Sequence, residues 1–96
     1  MSLAVGLVTI ELRLPGTASL KGKRSVVKPL LARLRKEFNI SVAEVDGQDN
    51  WQRSVIAATC VSASADYAHG LLTRVAKHVE TWRMDIEVVD YDIDML

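Results

Sequence analysis

Apolar and polar residues alternate with period two from Ala4 to Leu14, where Val8, Ile10, Leu12 and Leu14 share one parity and Val5, Leu7, Thr9, Glu11 and Arg13 the other. That is the pattern of a strand with one face buried and the other progressively wet. Pro15-Gly16 ends it, and Ser19 stands where a helix N-cap belongs. From Leu20 to Phe38 the period becomes helical: Val26, Val27, Leu30, Leu31, Leu34 and Phe38 fall on one broad face, with Lys21, Arg24, Lys28 and Arg35 opposite. Pro29 removes one helical hydrogen bond and predicts a kink, but the apolar stripe continues past it. Gly22 weakens the first turn.

Two further strands are expected at Ile40 to Val45 and Trp51 to Ser62. A two-residue turn at Asp46-Gly47 would set Glu44 directly opposite Asp49, so a longer loop over about residues 46 to 50 fits better. This register places Ile40 and Val42 on the face of Ile56, Ala58 and Cys60. Ser64 caps a second helix whose stripe is Ala68, Leu71, Leu72, Val75, Val79 and Trp82, with Asp66 in its first turn and Lys77 and His78 in its last. A last strand, Met84 to Asp94, is acidic at Asp85, Glu87, Asp90, Asp92 and Asp94. Its apolar parity shifts from Ile86 and Val88 to Val89, Tyr91 and Ile93, which points to a bulge or a change of exposure near Val88.

Strand, helix, strand, strand, helix, strand is the split βαβ, ferredoxin-like α+β arrangement. Right-handed crossovers then give a four-stranded antiparallel sheet in the order 4-1-3-2 with both helices on one face. The 96 residues make one domain, 1–96, large enough to bury a core without staples. The first helix then lies over the second and third strands, and the acidic fourth strand is the far edge.

Charge adds a second layer to this picture. Twelve Lys plus Arg balance twelve Asp plus Glu, so bulk attraction to nucleic acid is excluded and any electrostatic role needs an uneven distribution. The distribution is uneven, because seven of the twelve cations lie between Lys21 and Lys36. Ser19, Lys21, Lys23, Arg24, Lys28 and Arg35 are therefore the candidate anion or RNA contacts, weighed against a merely solvated helix face. Lys23 stands apart: it falls near the apolar side, so it must snorkel or find a carboxylate, Glu44 or Asp46. The hairpin gathers a second candidate set, Glu44, Asp46, Asp49, Trp51 and Arg53. It reads as turn residues, ion pairs and core cover, or as a weak divalent-cation or stacking site. The single thiol, Cys60, excludes an internal disulfide and reads as a small buried hydrophobe in a reduced setting. His69 and His78 lie on opposite sides of their helix and cannot share a metal. No nucleophile-base pattern, phosphate-cradling loop or zinc spacing is present, so neither a cofactor nor a catalytic residue is assigned. A signal-peptide pattern and a membrane-length apolar run are also lacking, which makes a cytoplasmic protein the expectation.

Val5 to Leu14, Ser19-Leu-Lys-Gly-Lys-Arg24, and Val42-Ala-Glu-Val-Asp-Gly-Gln-Asp-Asn-Trp-Gln-Arg53 together resemble the YlxP-like family of small bacterial proteins, a family of unknown function. The resemblance implies a ferredoxin-like fold and a cytoplasmic protein whose gene often lies beside those for translation initiation and ribosome maturation. It brings no catalytic activity or ligand. The chain departs from the family at Gly22, where an acidic residue is common, and at Asn50, where an apolar one is. Three functions follow in order of preference: a non-enzymatic accessory docking on structured RNA or the ribosome through the first helix; a self-associating module, a dimer, using Val5 and Leu7 on the helix-free face or an edge strand; and a divalent-cation enzyme at Glu44 and Asp49. Neither a membrane nor DNA is an expected partner.

Overall fold

The computed structural model describes residues 1–96. Its elements run β1 (Ala4–Arg13), α1 (Leu20–Glu37), β2 (Ser41–Asp46), β3 (Arg53–Ser62), α2 (Ala65–Glu80) and β4 (Glu87–Met95). They form one antiparallel sheet in the order β2-β3-β1-β4, which is the expected order read from the opposite edge. Both caps form as the sequence requires: the Ser19 hydroxyl accepts from the Gly22 amide at 2.9 Å and the Ser64 hydroxyl from the Tyr67 amide at 3.2 Å.

The period-two parity of β1 sends Val8, Ile10 and Leu12 to the helix-covered face, where they meet Val42 of β2 and Ile56, Ala58 and Cys60 of β3. Over them pack Val26, Val27, Leu30 and Leu34 of α1 and Leu71, Leu72, Val75 and Val79 of α2. Each fully buried Leu, Ile or Val of this layer contributes about 1.5–3 kcal/mol, so the core is ample for a chain of this length. α1 continues through Pro29 as a single 18-residue helix, because the stripe on either side of the proline buries against the same sheet. At the far ends of the helices, His78 packs between the rings of Phe38 and Trp82, with centroids 5.7 and 6.2 Å away.

Two strands start two or more residues later than the sequence predicts. β3 begins at Arg53, not Trp51, because residues 47–52 bond among themselves and to the loop after β1. The Asn50 amide donates to Gly47 O, the Gln52 amide to Asn50 Oδ1, and the Leu14 amide to Gln52 O. Trp51 is consequently left at the hairpin tip, about half exposed, and does not cover the core. β4 begins at Glu87, since the Arg83–Asp85 ion pair and the Ile86 amide bonding to Arg83 O form a turn before it. The expected irregularity in β4 is a bulge: Glu11 pairs with Asp90 and Leu12 with Val88, so Val89 is the extra residue. Val88, Tyr91 and Ile93 pack on the core, whereas Val89 is thrown outward instead of joining the buried parity.

Candidate functional site: the cleft between the first helix and the hairpin

Lys23 sits three, four, seven and eleven residues before Val26, Val27, Leu30 and Leu34, which places it in the middle of the buried stripe of α1. Only 1% of its surface is accessible. An ammonium group there must be matched, and it is matched by Glu44 Oε2 at 2.9 Å, Arg53 O at 3.0 Å, and Gly47 O. Glu44, not Asp46, is thus the partner carboxylate. Its other contact is the buried Ser54 hydroxyl, which donates to the same oxygen at 2.5 Å. These bonds tie α1 to both arms of the hairpin.

A bulge in β2 makes this geometry accessible. Glu44 pairs with Ile56 and Asp46 with Val55, so Val45 is the unpaired extra residue and the strand end twists away from the ladder. Asp46 then turns outward, accepting from the Gly47 amide at 2.8 Å and from Arg53 Nη1 at 3.4 Å. The Gly47 amide, followed by the Arg53 guanidinium, holds its carboxyl below the usual value. Gly47 adopts φ +75°, and a Cβ there would lie 2.9 Å from Arg53 O, so both conformation and space call for glycine.

Between α1 and this pinned turn lies a cleft of about 240 Å³, lined by Lys23, Arg24, Val27, Lys28, Leu31, Glu44 and Gln48. Arg24 and Lys28 are exposed on its rim and enter none of the ion pairs of the molecule. Lys21 and Arg35 continue the cationic stripe along the helix. Arg35 spends one guanidinium nitrogen on Val42 O at 2.8 Å, laying that group across β2. Arg33 is paired with Glu37.

The sequence-predicted residues therefore divide. Arg24 and Lys28 border the cleft, Lys21 and Arg35 extend its charge, and Lys23 lies beneath it with its donors already committed. Ser19 belongs to a different cavity of about 340 Å³, shared with Gly16, Thr17, Gly22, Val26 and Asp85, so a carboxylate stands beside the N-terminus of α1. Of the hairpin set, Glu44 is bound to Lys23, and Asp46 to Arg53; Asp49 and Trp51 project at the tip with Asn50 and Gln52. No three His, Cys, Asp or Glu side chains converge as a metal site would need. Cys60 is buried, and desolvation pushes its thiol above the ordinary value. Two residues escaped the sequence reading. Ser54 was legible in principle as a polar residue at a buried parity of β3, and Gln48 was not, because its place depends on how the loop closes.

The helix-free face carries Val5 and Leu7 of β1, with Val61 of β3 exposed beside Val5. Asp90, Asp92 and Asp94 stand opposite Glu11, Thr9 and Leu7 on the same face, none of these three aspartates in an ion pair. Both sheet edges are charged in this way or crossed by Arg35, which discourages strand addition. No helix is long and apolar enough to cross a membrane.

These features define a small α+β protein of ferredoxin-like fold with a cationic cleft where its first helix meets its hairpin. The chain belongs to the family described as Protein of unknown function (DUF503), whose family model matches residues 5–93. It is 33% identical over 78 residues to "Uncharacterized protein YlxP" of Bacillus subtilis (strain 168), a match covering 81% of this chain and 85% of that one. Among solved structures it is similar to "De novo designed protein Foldit4", with a TM-score of 0.56 at 12% identity over 99% of this chain and 97% of that one, a likeness of fold alone.

Proposed function

We propose that this protein is a non-enzymatic RNA-docking accessory, engaging structured RNA or a ribosomal particle through the outward flank of α1. The observation that carries the reading is the row of exposed cations Lys21, Arg24 and Lys28, which have no carboxylate partner in a molecule of zero net charge. Three arginines are neutralised, Arg33 by Glu37, Arg53 by Glu11 and Asp46, and Arg83 by Asp85; Arg13, Arg74 and Lys77 also stand without an ion pair, but not as a row on one helix flank. On meeting RNA, such a row would displace condensed counterions from the phosphates it contacts. The carboxylates of β4 lie on the opposite edge of the sheet and orient the molecule by repelling the same backbone.

With about four phosphates engaged, log affinity falls against log salt with a slope on the order of −3. The test is co-sedimentation of the protein with ribosomal particles at low and high salt, beside a Lys21→Glu, Arg24→Glu, Lys28→Glu triple variant. Release of the variant at low salt is the expected result, and undiminished co-sedimentation overturns the reading. All three side chains are exposed, so the substitutions leave the core intact.

A further inference from the structure

A plain basic stripe needs only charge, but the cleft beside α1 has more structure than that. Its floor is aliphatic, from Val27 and Leu31. One rim carries Arg24 and Lys28, and the facing lip carries the exposed Gln48 amide. That lip is fixed, because the carbonyl of the preceding residue, Gly47, accepts from the buried Lys23 ammonium. Glu44 contributes no net repulsion to an anion, since Lys23 and the Ser54 hydroxyl hold its carboxylate. The cleft therefore pairs an apolar floor with a cationic rim and, on an anchored stretch of backbone, a bifunctional hydrogen-bonding group.

We infer that this cleft takes one unpaired nucleotide, its base against Val27 and Leu31 with the Gln48 amide at the base edge, and its phosphate on Arg24 and Lys28. The inference rests on the RNA-docking reading and narrows it: the strand must be single where it meets the protein. A base stacked in a duplex cannot enter a cleft of about 240 Å³, and the A-form grooves keep its edges from a short lip such as Gln48. An amide can both donate and accept, which suits any base edge and gives preference without strict sequence reading. The same chemistry is carried by a free nucleotide, so the experiment separates the two sources.

Fluorescence anisotropy of the full chain is read with three probes: a single-stranded RNA octamer, the same octamer in a blunt duplex, and a labelled 5′-nucleoside monophosphate. Gln48→Ala is compared with the wild type and with the α1 triple charge reversal, each checked for folding by circular dichroism. The expected result is tighter binding of the single strand than of the duplex. Gln48→Ala should weaken the single strand by about fivefold, the worth of one net hydrogen bond, and leave the salt slope unchanged. If duplex and single strand bind alike and Gln48→Ala changes neither, while the triple reversal abolishes both, the cleft inference falls and the docking reading stands. If the mononucleotide binds in a Gln48-dependent way and no RNA does, the cleft is a nucleotide site and the docking reading falls. If nothing binds, both fall.

Discussion

Replacing Lys23 by Met tests the polar clamp most directly, because methionine keeps the length and volume of the stem and removes only the ammonium. Three acceptors then lose their donor: Glu44 Oε2, Arg53 O and Gly47 O. Removing one partner of a buried ion pair costs about 3–5 kcal/mol, and a buried carbonyl left unpaired about 1–3 kcal/mol. These costs overlap, because all three acceptors surround one ammonium. The Glu44 side chain retains 19% of its surface and keeps the Ser54 hydroxyl, so it can partly rehydrate. The expected loss is therefore near the lower bound, about 3 kcal/mol. In a domain of this size that corresponds to a fall in Tm of roughly 12–24 °C. Urea titration followed by circular dichroism at pH 7 measures it. A Lys23→Met, Glu44→Leu double variant should regain only part of the loss, since the uncompensated carboxylate is gone but Arg53 O, Gly47 O and the buried Ser54 hydroxyl still lack their partners. A single-variant loss below about 1 kcal/mol would show that the hairpin is held by other contacts, and would refute the assignment of Lys23 as its anchor.

Gly47→Ala should lower stability by about 2 kcal/mol, because a left-handed φ of +75° and a Cβ 2.9 Å from Arg53 O act together; the urea midpoint reads it, and an unchanged midpoint contradicts the geometry. Asp46 has a folded pKa below its ordinary value of 3.8, so its contribution is present above that value and is lost as pH falls through the lower folded one. Thermal melts from pH 7 to pH 2 should show a shallower acid limb for Asp46→Asn than for the wild type, and superimposable limbs would contradict the pairing with Gly47 and Arg53.

Much of the fold was legible because local rules and tertiary burial agree. The parity of Val8, Ile10 and Leu12 and the serine caps follow from residue type and spacing alone, and the spacing in the last strand signalled a bulge or a change of exposure, of which the structure shows the bulge. The misplaced starts of the third and fourth strands have a common cause. Trp51 and Met84 look like strand residues by propensity, but side chain to backbone bonds from Asn50 and the Arg83–Asp85 pair close turns that propensity does not encode. Lys23 was visible as an oddity on an apolar stripe, and its need for a carboxylate followed directly. Which carboxylate it takes depends on the extra residue at Val45, whose twist is a property of the assembled hairpin. Gln48 was invisible for the same reason: a polar loop residue gains a role only when the loop has a fixed place.

The central position of β1 in the sheet bears on how the protein is made. The first strand to be synthesised pairs on one side with β3 and on the other with β4, Val8 meeting Ile93 near the opposite end of the chain. Half of its ladder stays open until the last nine-residue strand has been translated. The nascent polypeptide accordingly emerges with an aliphatic ribbon awaiting its second neighbour, and closure of the sheet waits for β4 to be made.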